Sequence, residues 1–287
     1  MLFGAVNRRT CAAVLMGLAA GTGCRTYNYQ SPFGPRYTGV APAGPPAVPP
    51  HSAFAIRVVT FNVQFSRHVD RAIALLRSSA ALRNADIIAL QEMDAPGTRR
   101  IAEALAMSYV YYPASISPET GRDFGNAILS PWPIVADEKI VLPHLARFWR
   151  SERIATAATI LVGGVALRVY SVHLETPVEL GPKSRKDQAR AILADAASYP
   201  RVVVSGDMNS RGIGKEFRAA GFVWPTEHNP RTHLVFNWDH IFFKGLAPAD
   251  SGGTGVVRDP LGASDHRPVW AVAVLRGDAA LAKPARQ

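Results

Sequence analysis

The chain has 287 residues, 48% of them apolar and 19% charged, which is enough for one large domain or two small ones. Its formal charge of +10 is compatible with a polyanionic substrate or an anionic surface and proves neither, because no block of Lys or Arg concentrates it. Cys11 and Cys24 both precede the body of the chain, which excludes a disulfide, a thiolate zinc site and cysteine-nucleophile chemistry there.

Residues 1–23 read as an export signal. Arg8 and Arg9 precede a ten-residue apolar core, residues 11–20. That core is too short to span a bilayer, which takes about 20 residues. Gly21-Thr22-Gly23-Cys24 resembles a bacterial lipoprotein signal, in which Cys24 becomes the lipidated first residue. Gly21 departs from that pattern, where a larger aliphatic residue is usual, and an ordinary secretory cleavage nearby is the alternative. The reading implies an exported protein anchored by lipid in a bacterial envelope. Residues 24–52 are expected to be a spacer. Pro32, Pro35, Pro42, Pro45, Pro46, Pro49 and Pro50 favour an extended, semi-rigid chain that holds a domain off the membrane.

Residues 53–276 form the expected domain. It opens with a strand at 55–62. Ile73, Leu76 and Leu82 at helical spacing predict a helix over 70–82, followed by a strand at 86–90 that ends on Gln91-Glu92. A helix over 98–107 carries Ile101 and Leu105, and strands follow at 109–112 and 125–130. Two β-rich runs, 154–162 and 165–174, are split by Gly163-Gly164 and read as a hairpin. A helix over 183–197 is expected to turn Lys186, Gln188 and Arg190 to water. A strand at 202–204, a short helix at 216–220 and strands at 235–243 and 268–275 complete the domain. The glycine-rich run 252–255 reads as a loop, and residues 277–287 as a frayed tail. Helices mixed with hairpins, without strict alternation, favour an α+β fold.

Chemistry-bearing residues stand at the ends of six strand-like runs. Val203-Val204-Ser205-Gly206-Asp207-Met208-Asn209 puts a carboxylate and an amide two residues apart, on one side if strand geometry persists. Ser264-Asp265-His266 precedes the last apolar run. The others are Thr60-Phe61-Asn62, Leu90-Gln91-Glu92, Ser171-Val172-His173-Leu174-Glu175 and Trp238-Asp239-His240. Gly-Asp-x-Asn-Ser alone is ordinary turn chemistry; six such ends in one chain are hard to explain as turns.

This set, in this order, resembles the endonuclease/exonuclease/phosphatase superfamily, the fold of DNase I, exonuclease III, neutral sphingomyelinases and inositol polyphosphate 5-phosphatases. The resemblance spans about residues 56–275. It implies a four-layer α/β sandwich of two packed mixed sheets flanked by helices. It also implies phosphoester hydrolysis with Mg²⁺, or Mn²⁺ as a substitute. Oxygen donors suit such a hard cation: Glu92 is the first-choice ligand, with Asn62 and Asp265 completing or supporting the site. Asp207 and Asn209 match the pair that places and activates the attacking water. Asp239 matches the acid that hydrogen-bonds a catalytic histidine, here His266, and His240 is incidental. His173 stands where abasic-site endonucleases usually carry tyrosine, which argues against that branch; contact with the scissile phosphate or protonation of the leaving oxygen is its expected role. Asn126, Arg122 and Arg153 are weaker candidates for phosphate contact. Tyr109, Tyr111 and Tyr112 are expected in the core. Nucleic acid is the first substrate class and a phospholipid, sphingomyelin or phosphoinositide headgroup the second; a monomer is expected, and a catalytically inactive binding module is the least favoured alternative.

Overall fold

The computed structural model describes residues 26–44, 46, 54–249 and 253–275. The export signal, Cys24, part of the spacer and the tail beyond Leu275 lie outside them. In chain order the elements are β1 (Tyr37–Gly39), β2 (Phe54–Asn62), α1 (Val69–Ser78), β3 (Ile87–Met93), α2 (Ala95–Leu105), β4 (Ser108–Ile116), β5 (Asp123–Ser130), β6 (Ile134–Val141), β7 (Ile154–Val162) and β8 (Val165–His173). They continue with α3 (Pro182–Ala196), β9 (Val202–Asp207), α4 (Gly214–Ala219), β10 (Asp239–Lys244), β11 (Ala247–Pro248), β12 (Thr254–Val256) and β13 (Val269–Leu275).

Two sheets result. The first runs β1-β4-β5-β3-β2-β13-β11, with β12 also on β13; the second runs β10-β9-β8-β7-β6. Only β2/β3 and β8/β9 pair in parallel among the described strands, so both sheets are mixed. Period-two alternation makes the layers. Along β2, Ile56 and Val58 face a core between the sheets, while Val59 and Phe61 face a second core under α1 and α2. Along β9, Val203 faces the central core, and Val202 and Val204 face a third under α3 and α4. Helix, sheet, sheet and helix are the four layers expected.

Several local expectations are corrected. α1 stops at Ser78, and Leu82 is buried from the turn beyond it. α2 begins at Ala95, because the Asp94 carboxylate accepts from the Gly97 amide at 2.8 Å and Pro96 sits in the first turn. The last-but-one long strand starts at Asp239, not at 235. β6 carries Asp137, Glu138 and Lys139 on a sheet edge, where polar residues are tolerated and alternation is blurred. β12 lies in the run expected to be a loop. Gln188 is buried, not wet: it accepts from the Glu175 amide at 3.0 Å and donates to the Pro143 carbonyl at 3.1 Å.

The described part of the proline-rich segment is not a free spacer. β1 pairs with β4, Tyr37 opposite Tyr111. The buried Lys139 ammonium donates to the Tyr29 and Gly34 carbonyls at 2.7 and 3.0 Å, and Arg36 forms a fork on Asp137. A buried ammonium needs such acceptors, and the arm supplies them. Tyr109, Tyr111 and Tyr112 are buried, as expected.

Candidate active site

Parallel and antiparallel pairing bring His173, Asp207 and Asp239 into one row. His173 ends β8 opposite Asp207 at the end of β9, which in turn lies opposite Asp239 at the start of β10. Gly206 permits the close approach: a Cβ there would fall 1.9 Å from the Val172 carbonyl oxygen. Asp207 Oδ1 accepts from the Asn209 amide at 2.8 Å. Its Oδ2 lies 3.6 Å from His173 Nε2 and 3.6 Å from His266 Nε2. Burial raises the Asp207 carboxyl to about 7, against the pull of the His266 charge.

The first sheet contributes Asn62 and Glu92. Glu92 stands where the β3–β5 register shifts, with φ +57°. This left-handed bulge, unusual for a non-glycine residue, turns its carboxylate into the pocket. Asn62 Nδ2 donates to Glu92 Oε1 at 3.0 Å and approaches Asp207 Oδ2 at 3.3 Å, while its Oδ1 accepts from the Gln64 amide. Asn62 therefore sets two carboxylates in place and offers its nitrogen, not its oxygen, to the site. Burial raises the Glu92 carboxyl, opposed by Asn62 and by the His266 and Arg153 charges.

His266 is fixed from both ends of its backbone and ring. Ser264 Oγ donates to the Asn62 carbonyl and accepts from the His266 amide at 3.0 Å. His266 Nδ1 lies 2.9 Å from Asp239 Oδ2. Burial alone would lower its pKa; Asp239 and Asp207 outweigh that and push it up to about 10. The ring is an imidazolium at neutral pH. His233, which nothing in the sequence singled out, stacks on it with ring centroids 4.3 Å apart, and Trp238 and Phe236 continue the stack.

Arg153 forms a buried fork on Glu175, both contacts at 2.9 Å, and its Nη1 lies 2.9 Å from His173 Nδ1. Glu175 is the second residue missed; its position two beyond His173 was the available signal. Burial, then the Arg153 and His266 charges, hold His173 well below the usual imidazole range. Arg153 Nη1 also lies 3.2 Å from Nε2; a neutral ring that accepts the shorter contact on Nδ1 leaves Nε2–H as a donor. That suits contact with a phosphoryl oxygen and not protonation of the leaving oxygen. His240 is a packing residue: Trp224 Nε1 donates to its Nδ1 at 3.2 Å. Two weaker candidates are not brought to the site. Arg122 is held by Asp94 and the Phe65 carbonyl. Asn126 donates to the Ile154 and Ser171 carbonyls, tying the two sheets together.

A cavity of about 470 Å³ opens over Glu92, Arg153, His173, Asp207, Asn209 and His266, and Asp265 also lines it. Its oxygen donors fit a hard divalent cation. One buried carboxylate oxygen, Asp239 Oδ1, has no partner. Donor atoms of Asp207, Asp239 and His266 lie within 4.8 Å of one another, as do those of His233, Asp265 and His266. Glu92 falls in neither trio; its case rests on a partly buried carboxylate that lines the cavity and accepts a side-chain hydrogen bond from Asn62.

The sequence model of the Endonuclease/Exonuclease/phosphatase family matches residues 59–266. No curated protein matches the chain significantly by sequence. Humanized TDP2 from D. rerio shares 18% identity at a TM-score of 0.60, covering 76% of this chain and 98% of that one. Sphingomyelinase C from Streptomyces griseocarneus shares 18% at 0.57, covering 76% and 99%. The human Nocturnin catalytic domain shares 18% at 0.56, covering 77% and 93%. At such identities the likeness is one of fold. With the family match spanning most of the chain, and a row of acid and imidazole at the meeting strand ends, the chain belongs to the endonuclease/exonuclease/phosphatase family, a family of phosphoester hydrolases.

Proposed function

We propose that the protein hydrolyses a phosphodiester with water as nucleophile, at a divalent-cation site served by Glu92 and Asp265, with Mg²⁺ the first-choice ion and Mn²⁺ a substitute. The observation that carries this reading is Asp207 Oδ2, equidistant at 3.6 Å from His173 and His266. When bound, the cation supplies charge neutralisation at the phosphoryl oxygens. Asp207, raised to about 7, is a base matched to neutral pH and takes a proton from water. The His266 imidazolium, oriented by Asp239, holds positive charge where negative charge develops. His173 donates from Nε2, and Arg153 backs it.

An inactive binding module would not need this set intact. The sequence puts nucleic acid before a lipid headgroup; the exposed Phe148, Val178, Leu234 and Val235, on loops next to the strand ends that carry the site, favour the reverse order, since Leu, Val and Phe gain nothing from a polyanionic backbone. The test is a hydrolysis panel with Mg²⁺: plasmid DNA, RNA, sphingomyelin, phosphoinositides and bis-p-nitrophenyl phosphate. Turnover of any diester, lost in His266→Ala, supports the reading. No turnover with any of them refutes it.

A further inference from the structure

Exposed apolar residues collect at one end of the second sheet. β7 and β10 both begin, and β8 and β9 both end, at the site. The loop before β7 carries Phe148, 62% exposed, and Trp149, which lines the cavity. The loop after β8 carries Val178, 77% exposed. The turn before β10 carries Leu234 and Val235, 68% and 73% exposed, beside Phe236. His233 and Phe236 close that turn with reciprocal backbone hydrogen bonds, and Leu234 has φ +46°. This turn is thus a rigid apolar tip. Three strand spacings separate β7 from β10, about 14 Å, so the apolar loops flank the cavity mouth. Rims of this kind mark interaction surfaces.

Positive charge lies beside the tip. Arg231, Arg258 and Arg267 line a second cavity of about 320 Å³. The Arg267 amide donates to the Thr232 carbonyl, two residues from Leu234. Its guanidinium donates only to backbone carbonyls, of Arg258 and Arg231, among the described residues. Apolar side chains bordered by three arginines that form no salt bridge among the described residues fit an anionic lipid surface.

The arm enters at the same end. The Ile116 amide donates to the Tyr27 carbonyl, and Asn28 Nδ2 to the Arg150 carbonyl, next to Trp149. Cys24 is three residues from Tyr27, a reach of about 11 Å. A lipid on Cys24 would draw the site towards a bilayer, not hold it away.

We infer that the mouth of the site docks on an anionic lipid surface, with Phe148, Val178, Leu234 and Val235 inserted and Arg231, Arg258 and Arg267 on the headgroup phosphates. The substrate that follows, a lipid phosphodiester, rests on the hydrolase reading above; the docking itself does not. The test uses the exported form beginning at residue 24 and carrying Cys24→Ser, which keeps every described residue. Co-sedimentation is measured with phosphatidylglycerol–phosphatidylcholine vesicles and with pure phosphatidylcholine. Added Phe148→Glu and Val235→Glu should lower partitioning by about a hundredfold. Arg258→Ala should lower binding to the anionic vesicles about fivefold and leave the neutral ones unchanged. None of these residues lines the catalytic cavity, so hydrolysis of bis-p-nitrophenyl phosphate should stay unchanged. No vesicle binding, or binding that survives the double variant, overturns the inference. So does a rim variant that loses oligonucleotide binding while keeping vesicles, or one that disperses a concentration-dependent dimer. Vesicle binding without any phosphoester turnover would keep the docking and refute the hydrolase reading alone.

Discussion

Glu175→Gln should be among the most damaging single changes in the protein, although Glu175 is not proposed to touch substrate. Its carboxylate takes both arms of the Arg153 fork at 2.9 Å and also accepts from the Thr176 amide at 2.9 Å. Both partners are buried. Burial would raise the Glu175 carboxyl, yet Arg153 brings it below its ordinary value, so the pair is ionised. Removing one partner leaves a guanidinium uncompensated, which costs about 3–5 kcal/mol. In a domain of this size that is a fall in Tm of roughly 10 °C. Replacing both, Arg153→Met with Glu175→Leu, leaves no orphaned charge and should recover about 2–3 kcal/mol of the summed single losses. The assay is urea unfolding followed by near-ultraviolet circular dichroism, with Tm as a check. Turnover should fall in the double variant even where stability returns, because Arg153 Nη1 no longer holds His173. A single-variant cost below about 1 kcal/mol, or single costs that simply add, would refute the argument.

His266→Ala and Asp239→Asn should each lower kcat by about 10²–10⁴-fold, and a double-mutant cycle should find the losses non-additive because the 2.9 Å contact makes one unit; independent losses would contradict the pairing. Glu92→Gln should abolish Mg²⁺-dependent turnover with the fold intact, and full activity at low Mg²⁺ would count against Glu92 as a ligand. Burial would raise the Asp137 carboxyl, but Arg36 and Tyr112 bring it below its usual value. The stability this contributes is present above the unfolded carboxylate pKa of about 3.9 and is lost as pH falls through the lower folded value. Thermal unfolding from about pH 5 to pH 2 should therefore be flatter in Arg36→Met, and an unchanged slope would detach the arm from acid stability. If the expected export signal acts as a lipoprotein signal, mass spectrometry of the protein from bacterial membranes should find lipid on an N-terminal Cys24; an unmodified cysteine, or cleavage elsewhere, would remove the anchor.

The α+β class was legible in the mix of helical and strand periods, whereas the four-layer sandwich followed from the family resemblance; the structure realises it by burying apolar residues on both faces of β2 and β9. The strand-end positions of Asn62, His173 and Asp207 were legible because a polar residue closing an apolar run is visible in one dimension, whereas Asp239 opens its strand and His266 precedes one. What pairs with what was not. The register that aligns His173, Asp207 and Asp239 joins residues far apart in sequence. The bulge that turns Glu92 inward depends on a shift against β5. His233 gains its place by stacking on His266, which leaves no trace in local pattern; Glu175 stands two beyond His173 in the sequence, but its meeting with Arg153 is a tertiary contact. The proline-rich arm read as a spacer because composition reports stiffness and not docking. Its attachment comes from the buried ammonium of Lys139, which needs the carbonyls of Tyr29 and Gly34. The sequence thus determined the period of each element and the residue at its end. The tertiary structure decided which ends meet, because contact between charges and rings is set by distance in space.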